Sequence, residues 1–177
     1  MAKRLTPCAL STTLLLGAIT AISFTSGTSV VASGATVASC VPGQMRVTNG
    51  AAQGTAGTTY IPLIFTNTGA TCAIWGVPSV QPVLASRRAL GPAARNQSMG
   101  EMPIRHVLAK GHSVSVAFGV VETGNYTTSS CVARSASGVV VALVDFVRPT
   151  YLHLPISVCT KRASTITHLI VAGSLGN

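Results

Sequence analysis

Acidic side chains are almost missing from this chain of 177 residues: Glu101, Glu122 and Asp145 stand against twelve Lys plus Arg, a formal net charge of +9. A mechanism built on two paired carboxylates must draw both from these three, which sets glycosidase chemistry aside. Charge of either sign is scarce, at 8% where globular domains carry about a quarter. Aromatics are few, at 5%, and none interleaves the basic residues between 85 and 112, so no stacking surface for nucleic acid is expected. No Cys-x-x-Cys pair and no His-x-x-x-His occurs, which argues against zinc or another metal centre. A nucleophile elbow is missing too: Gly111-His112-Ser113-Val114-Ser115 comes nearest and lacks its final glycine. Gly50-Ala51-Ala52-Gln53-Gly54 is a turn without the Lys or helix of a phosphate loop, and no cofactor is expected.

What the chain has is apolar and β-branched residue content, 47% hydrophobic overall, enough for one packed domain and unlike a disordered segment. Its first residues read as an address. Lys3 and Arg4 precede an uncharged apolar run over residues 14–24, which suits a secretory signal and falls short of the roughly 20 residues that span a bilayer. Residues 1–34 are expected to leave as a signal peptide, cut at Ala32-Ser33-Gly34 or, about as well, at Val30-Val31-Ala32, and residues 35–177 to form the domain. The remaining charge is then +7, with no transmembrane span. Val37-Ala38-Ser39-Cys40 looks like a lipobox, but it stands about fifteen residues past the apolar run, which disfavours a lipid anchor at Cys40.

Cysteine usage agrees with export. Once Cys8 has gone with the leader, Cys40, Cys72, Cys131 and Cys159 remain, an even set that reads as two disulfides with three possible connectivities. Pairing neighbours, Cys40 with Cys72 and Cys131 with Cys159, closes two loops of about 30 residues, each stabilising by roughly 3 to 4 kcal/mol in the chain-entropy model.

Residues 59–67 alternate, with Ile61, Leu63 and Phe65 on one face and Tyr60, Pro62, Ile64 and Thr66 on the other. Pro62 donates no hydrogen bond, so this strand is expected at an edge, or with that position unpaired. Asn67-Thr68-Gly69-Ala70 supplies a turn in which Gly69 tolerates positive φ. Strands follow over 72–77 and 80–84, with an irregular loop over 85–101. Residues 88–95 carry Ala89, Leu90, Ala93 and Ala94, but Gly91-Pro92 cuts any helix there. Residues 113–121 place Val114, Val116, Phe118 and Val120 inward. The apolar run 139–147 is expected to be a central strand, with Asp145 needing a partner if buried. Arg148-Pro149-Thr150 would turn the chain, 151–158 would return as its hairpin partner, and 166–171 would close the domain. Seven or eight short strands with Gly, Pro and Asn turns imply an all-β, antiparallel immunoglobulin-like sandwich, with Trp75 filling its core. In that layout the start of the first strand lies beside the end of the second, which favours Cys40 with Cys72.

The run Ala56-Gly57-Thr58-Thr59-Tyr60-Ile61-Pro62-Leu63-Ile64-Phe65-Thr66-Asn67-Thr68-Gly69, followed by Cys72-Ala73-Ile74-Trp75-Gly76-Val77-Pro78-Ser79-Val80, resembles a family of exported actinobacterial domains of unknown function, found in secreted proteins and lipoproteins. Leu90-Gly91-Pro92-Ala93-Ala94-Arg95, Leu108-Ala109-Lys110-Gly111 and the later Cys131 and Cys159 continue the likeness from Cys40 to Cys159. Val77, Ser79 and Lys110 depart from the family pattern at turn and packing positions. The resemblance implies an exported disulfide-bonded β-sandwich and assigns no catalytic residues.

Two functional readings stand side by side. A non-enzymatic binding or structural module of the cell envelope or extracellular space could dock on anionic envelope polymer, lipid head groups or an acidic protein, through Arg87, Arg88, Arg95, Arg105 and Lys110. The alternative is a secreted hydrolase or metal-dependent enzyme that joins Asp145 to His106, His112, His153 or His168. Histidine spacings of six, forty-one and fifteen residues give no local ligand set, and the module is the expected one. Asn96-Gln97-Ser98 and Asn125-Tyr126-Thr127 form glycosylation triplets that a bacterial source would leave unused.

Overall fold

A computed structural model describes residues 36–96, 102–161, 170–172 and 175; the expected signal peptide over 1–34 lies outside them. The strands are β1 (Met45–Asn49), β2 (Gln53–Thr55), β3 (Thr58–Asn67), β4 (Cys72–Ile74), β5 (Ser79–Val83), β6 (Arg95–Asn96), β7 (His106–Leu108), β8 (Ser113–Val121), β9 (Ala133–Ala136), β10 (Gly138–Leu143), β11 (Val147–Leu152), β12 (Ile156–Cys159) and β13 (Ile170–Ala172). Single 3-10 turns occur at Pro42–Gln44 and Thr123–Asn125. The protein is all-β, and its ladders are antiparallel except where β13 runs parallel to β6.

The period-two alternation of β3 and β8 becomes the longest ladder. Ile61, Leu63 and Phe65 lie opposite Phe118, Val116 and Val114, and all six side chains are buried. Opposite residues in an antiparallel pair share a face, so this register places two apolar rows on the same side. β1 and β2 flank the other edge of β3, and β13 and β6 extend the sheet beyond β8. A second sheet orders β11, β10 and β5, with Val139, Val141 and Leu143 of the central β10 buried. Leu63, Phe65, Val116 and Phe118 from the first sheet and Val80, Val139, Val141 and Leu143 from the second belong to one hydrophobic cluster. Each such side chain contributes about 1.5 to 3 kcal/mol by leaving water. Two smaller ladders, β4 with β7 and β9 with β12, complete the layout.

Several expectations change. β3 is not at an edge: Pro62 lies opposite Ala117 of β8, and only on its other side does it lack a ladder partner. The neighbouring strand breaks between β1 and β2, and there Gly50 donates its N–H to the Pro62 carbonyl at 2.8 Å. The missing proline donor faces the same interrupted side, so no ladder bond is lost. The run 139–147 is not one strand: β10 ends at Leu143, Val144, Asp145 and Phe146 turn, and β11 begins at Val147. Asp145 takes φ +66 and is exposed, in keeping with the tolerance of aspartate for left-handed backbone, and so needs no buried partner. Arg148, Pro149 and Thr150 lie within β11, and only Tyr151 and Leu152 of 151–158 pair with β10. Ile156 to Cys159 pair with β9 instead.

The stretch after β5 is more ordered than an irregular loop. It turns at residues 84–88 and returns along the outer edge of β5, with Leu90 N–H donating to Pro82 O and Ala94 N–H to Val80 O, both at 2.8 Å. Residues 97–101 of that stretch, and 166–169 of the expected closing strand, lie outside the described residues. The 72–77 strand stops at Ile74. Trp75 beyond it is half-buried, meets Phe146 edge to face with centroids 4.6 Å apart, and does not fill the core, which Phe65 and Phe118 occupy. Gly69 is not among the residues with positive φ; its backbone instead lies so near Gln44 that a Cβ would come within 2.7 Å of that side chain.

Candidate functional site

The four cysteines form Cys40–Cys72 and Cys131–Cys159, each with Cα atoms 4.8 Å apart. The first tie is prepared by backbone pairing: Cys40 N–H donates to Ala73 O, and Ala73 N–H to Ala38 O. All four side chains are buried. The sulfur that a lipid anchor at Cys40 would need is therefore the one bonded to Cys72.

The five basic residues singled out in the sequence do not converge. Arg87 and Arg88 share the turn after β5, at the end of β10 where Gly138 pairs with Val83. Arg87 holds φ +65, uncommon for a non-glycine residue, and its guanidinium lies 3.2 Å from the centre of the Tyr151 ring. Arg105 belongs to the opposite end of β10, where it donates to the Val37 carbonyl and lies 5.6 Å from the Trp75 ring. Arg95 sits on β6 and Lys110 in the turn between β7 and β8. The result is a dispersed cationic surface.

His106 and His153 engage partners other than Asp145. His106 Nε2 lies 2.9 Å from the Leu175 carbonyl, and His153 Nδ1 lies 3.5 Å from the Tyr151 hydroxyl. His112 is exposed at the start of β8, and His168 lies outside the described residues, as does Glu101. Among the described residues no hydrogen bond joins Asp145 to a histidine, and no three His, Cys, Asp or Glu side chains gather as a metal site.

A concave site lies where the sequence pointed to none. The start of β3, the end of β8 and the approach to β12 enclose a cleft of about 290 Å³. Ile61, Val120, Val121, Leu154 and Ile156 supply an apolar floor, and Thr59, Glu122, Thr123 and Ser157 a polar rim. Thr59 Oγ1 donates to Glu122 Oε1 at 3.0 Å, while Thr123 Oγ1 and Ser157 Oγ lie 3.3 Å apart. Glu122 N–H donates to Gly57 O at 2.9 Å, which ties the Glu122 backbone to the β2–β3 hairpin. One signal for the cleft stood in the sequence: Glu122 follows a strand of buried valines in a chain with two other acids.

The chain belongs to the family described as domain of unknown function (DUF4232), whose model matches residues 40–169. No curated protein and no solved structure matches the chain.

Proposed function

We propose, with membership of that family as the premise, that this is an exported, non-enzymatic binding or structural module of the cell envelope or extracellular space in an actinobacterium. In this reading residues 1–34 are a cleaved signal peptide, and the two facing sheets are an immunoglobulin-like sandwich. The single observation that carries the reading is the pair of buried cystines, because such cross-links persist outside the reducing cytosol. The dispersed basic surface supports attraction to anionic envelope polymer, lipid head groups or an acidic protein through the long-range field of the whole molecule.

A non-reducing mass map of the protein from culture medium and envelope fractions tests the export part. The expected result is a chain beginning near Ala35, without lipid on Cys40, with Cys40–Cys72 and Cys131–Cys159 peptides joined. Four free thiols, or an uncut leader in the cytosol, would sink it. Co-sedimentation with phosphatidylglycerol vesicles tests the docking part: retention at low ionic strength and release as salt is added are expected, and no retention at any salt concentration removes it.

A further inference from the structure

The cleft beside Glu122 has a chemistry opposite to that of the surrounding surface. In a chain with a large excess of cations, Glu122 forms no ion pair among the described residues, and its side-chain hydrogen bond there comes from Thr59 to Oε1. Among the described residues no group donates to the second oxygen, and Glu122 lines the cleft together with Ile61, Val120, Leu154 and Ile156. A volume of about 290 Å³ is at the small end of ligand pockets. Apolar floor, hydroxyl rim and unneutralised carboxylate together select a small ligand with an aliphatic body and one cationic hydrogen-bond donor.

We propose that this cleft binds a small primary aliphatic ammonium. The protonated amine meets the second oxygen of Glu122 and the hydrocarbon chain covers the floor. The positive charge of the rest of the molecule opposes such a ligand at long range, but at physiological salt that field is screened beyond about 8 Å, whereas Glu122 acts at contact. The proposal rests on the reading of the chain as a binding module, and names the ligand class and place that reading leaves open.

The test is an NMR titration of the full exported chain, with labelled Ile, Leu and Val methyl groups, against hexylammonium, with hexanol and hexanoate as comparison probes. Hexylammonium is expected to shift the methyls of Ile61, Val120, Leu154 and Ile156 saturably, hexanol more weakly, and hexanoate not at all. Glu122→Gln should weaken hexylammonium by up to about fivefold, the upper end for an exposed ion pair, and leave hexanol unchanged. Equal affinity for hexylammonium and hexanol, shifts away from the cleft, or a Glu122→Gln variant that binds hexylammonium as the parent does would each overturn the proposal. Failure here with vesicle retention intact refutes the cleft alone; loss of vesicle retention with hexylammonium binding intact refutes the docking alone and upholds the cleft.

Discussion

Asn67 is the residue on which the turn chemistry of the chain converges. It has no exposed surface, yet every polar group it carries is matched: Nδ2 donates to the carbonyls of Ala70 and Leu108, and Oδ1 accepts from Gly69 N–H. Its backbone N–H donates to His112 O and its carbonyl accepts from Gly111 N–H. One side chain thus joins the end of β3 to the turn before β4 and to the turn before β8, which gives the Thr-Asn-Thr-Gly run a physical meaning. Replacing the amide leaves the buried Leu108 carbonyl unpaired, at about 1 to 3 kcal/mol, and frees the half-buried Gly69 N–H and the Ala70 carbonyl as well. Asn67→Ala is expected to cost about 3 kcal/mol, read as a lowered midpoint in urea denaturation. Asn67→Ser, which keeps a shorter donor and acceptor, should cost less. Asn67 was legible as a turn residue from its neighbours, but its burial was not, because the groups it satisfies lie as far as 41 residues away.

At the scale of elements, alternation spoke clearly where a strand has one dry face and poorly where it has none. β3 follows its period of two from Ile61 onward and β8 from Ser113 to Phe118, after which Gly119, expected outward, is buried between Phe118 and Val120. The run after residue 138 is apolar on both sides, so only the aspartate in it marked the hairpin, and burial of Phe146 in the turn masked that mark. The segment after β5 carries no alternation at all, since it borrows order from its neighbours: Leu90 and Ala94 bond to β5, and Gln81 Nε2 donates to Gly91 O at 3.2 Å. Gly91 there has φ +70, and a Cβ would stand 3.1 Å from the Cys159 carbonyl and 3.2 Å from Thr160 Cα. Backbone cannot yield as a flexible side chain does, so Gly91→Ala is expected to destabilise by more than about 1 kcal/mol. A thermal melt beside that of Ala93→Gly, a nearby exposed change free of the contact, checks it.

For the whole molecule, stability rests on one shared core and two covalent ties. Cys131–Cys159 spans a loop of 28 residues and draws the region after the second 3-10 turn onto β12, with Val121 and Tyr126 packed against it. Removing such a tie costs roughly 3 kcal/mol in the chain-entropy model, and a domain of this size loses about 3 °C of midpoint per kcal/mol. The double variant Cys131→Ala with Cys159→Ala should therefore melt about 10 °C lower by calorimetry, and added reductant should shift the parent further because both ties then open. A parent whose midpoint ignores reductant would contradict the role given to the cystines. With so few ion pairs available to it, the molecule has little electrostatic reserve to offset that loss.

Residue order alone settled the strand class and the inward rows of β3 and β8, because these depend on side chains a few positions apart; it favoured the neighbour pairing of cysteines among three connectivities, and the folded chain fixed it. Folding at long range decided the rest. It set which edge receives β1 and β2, scattered the arginines of a single stretch to opposite ends of β10, and gathered Thr59, Glu122 and Ser157 around one cleft. Those outcomes follow from how the sheets share one buried core, a requirement imposed by the whole buried surface and written in no single stretch of chain.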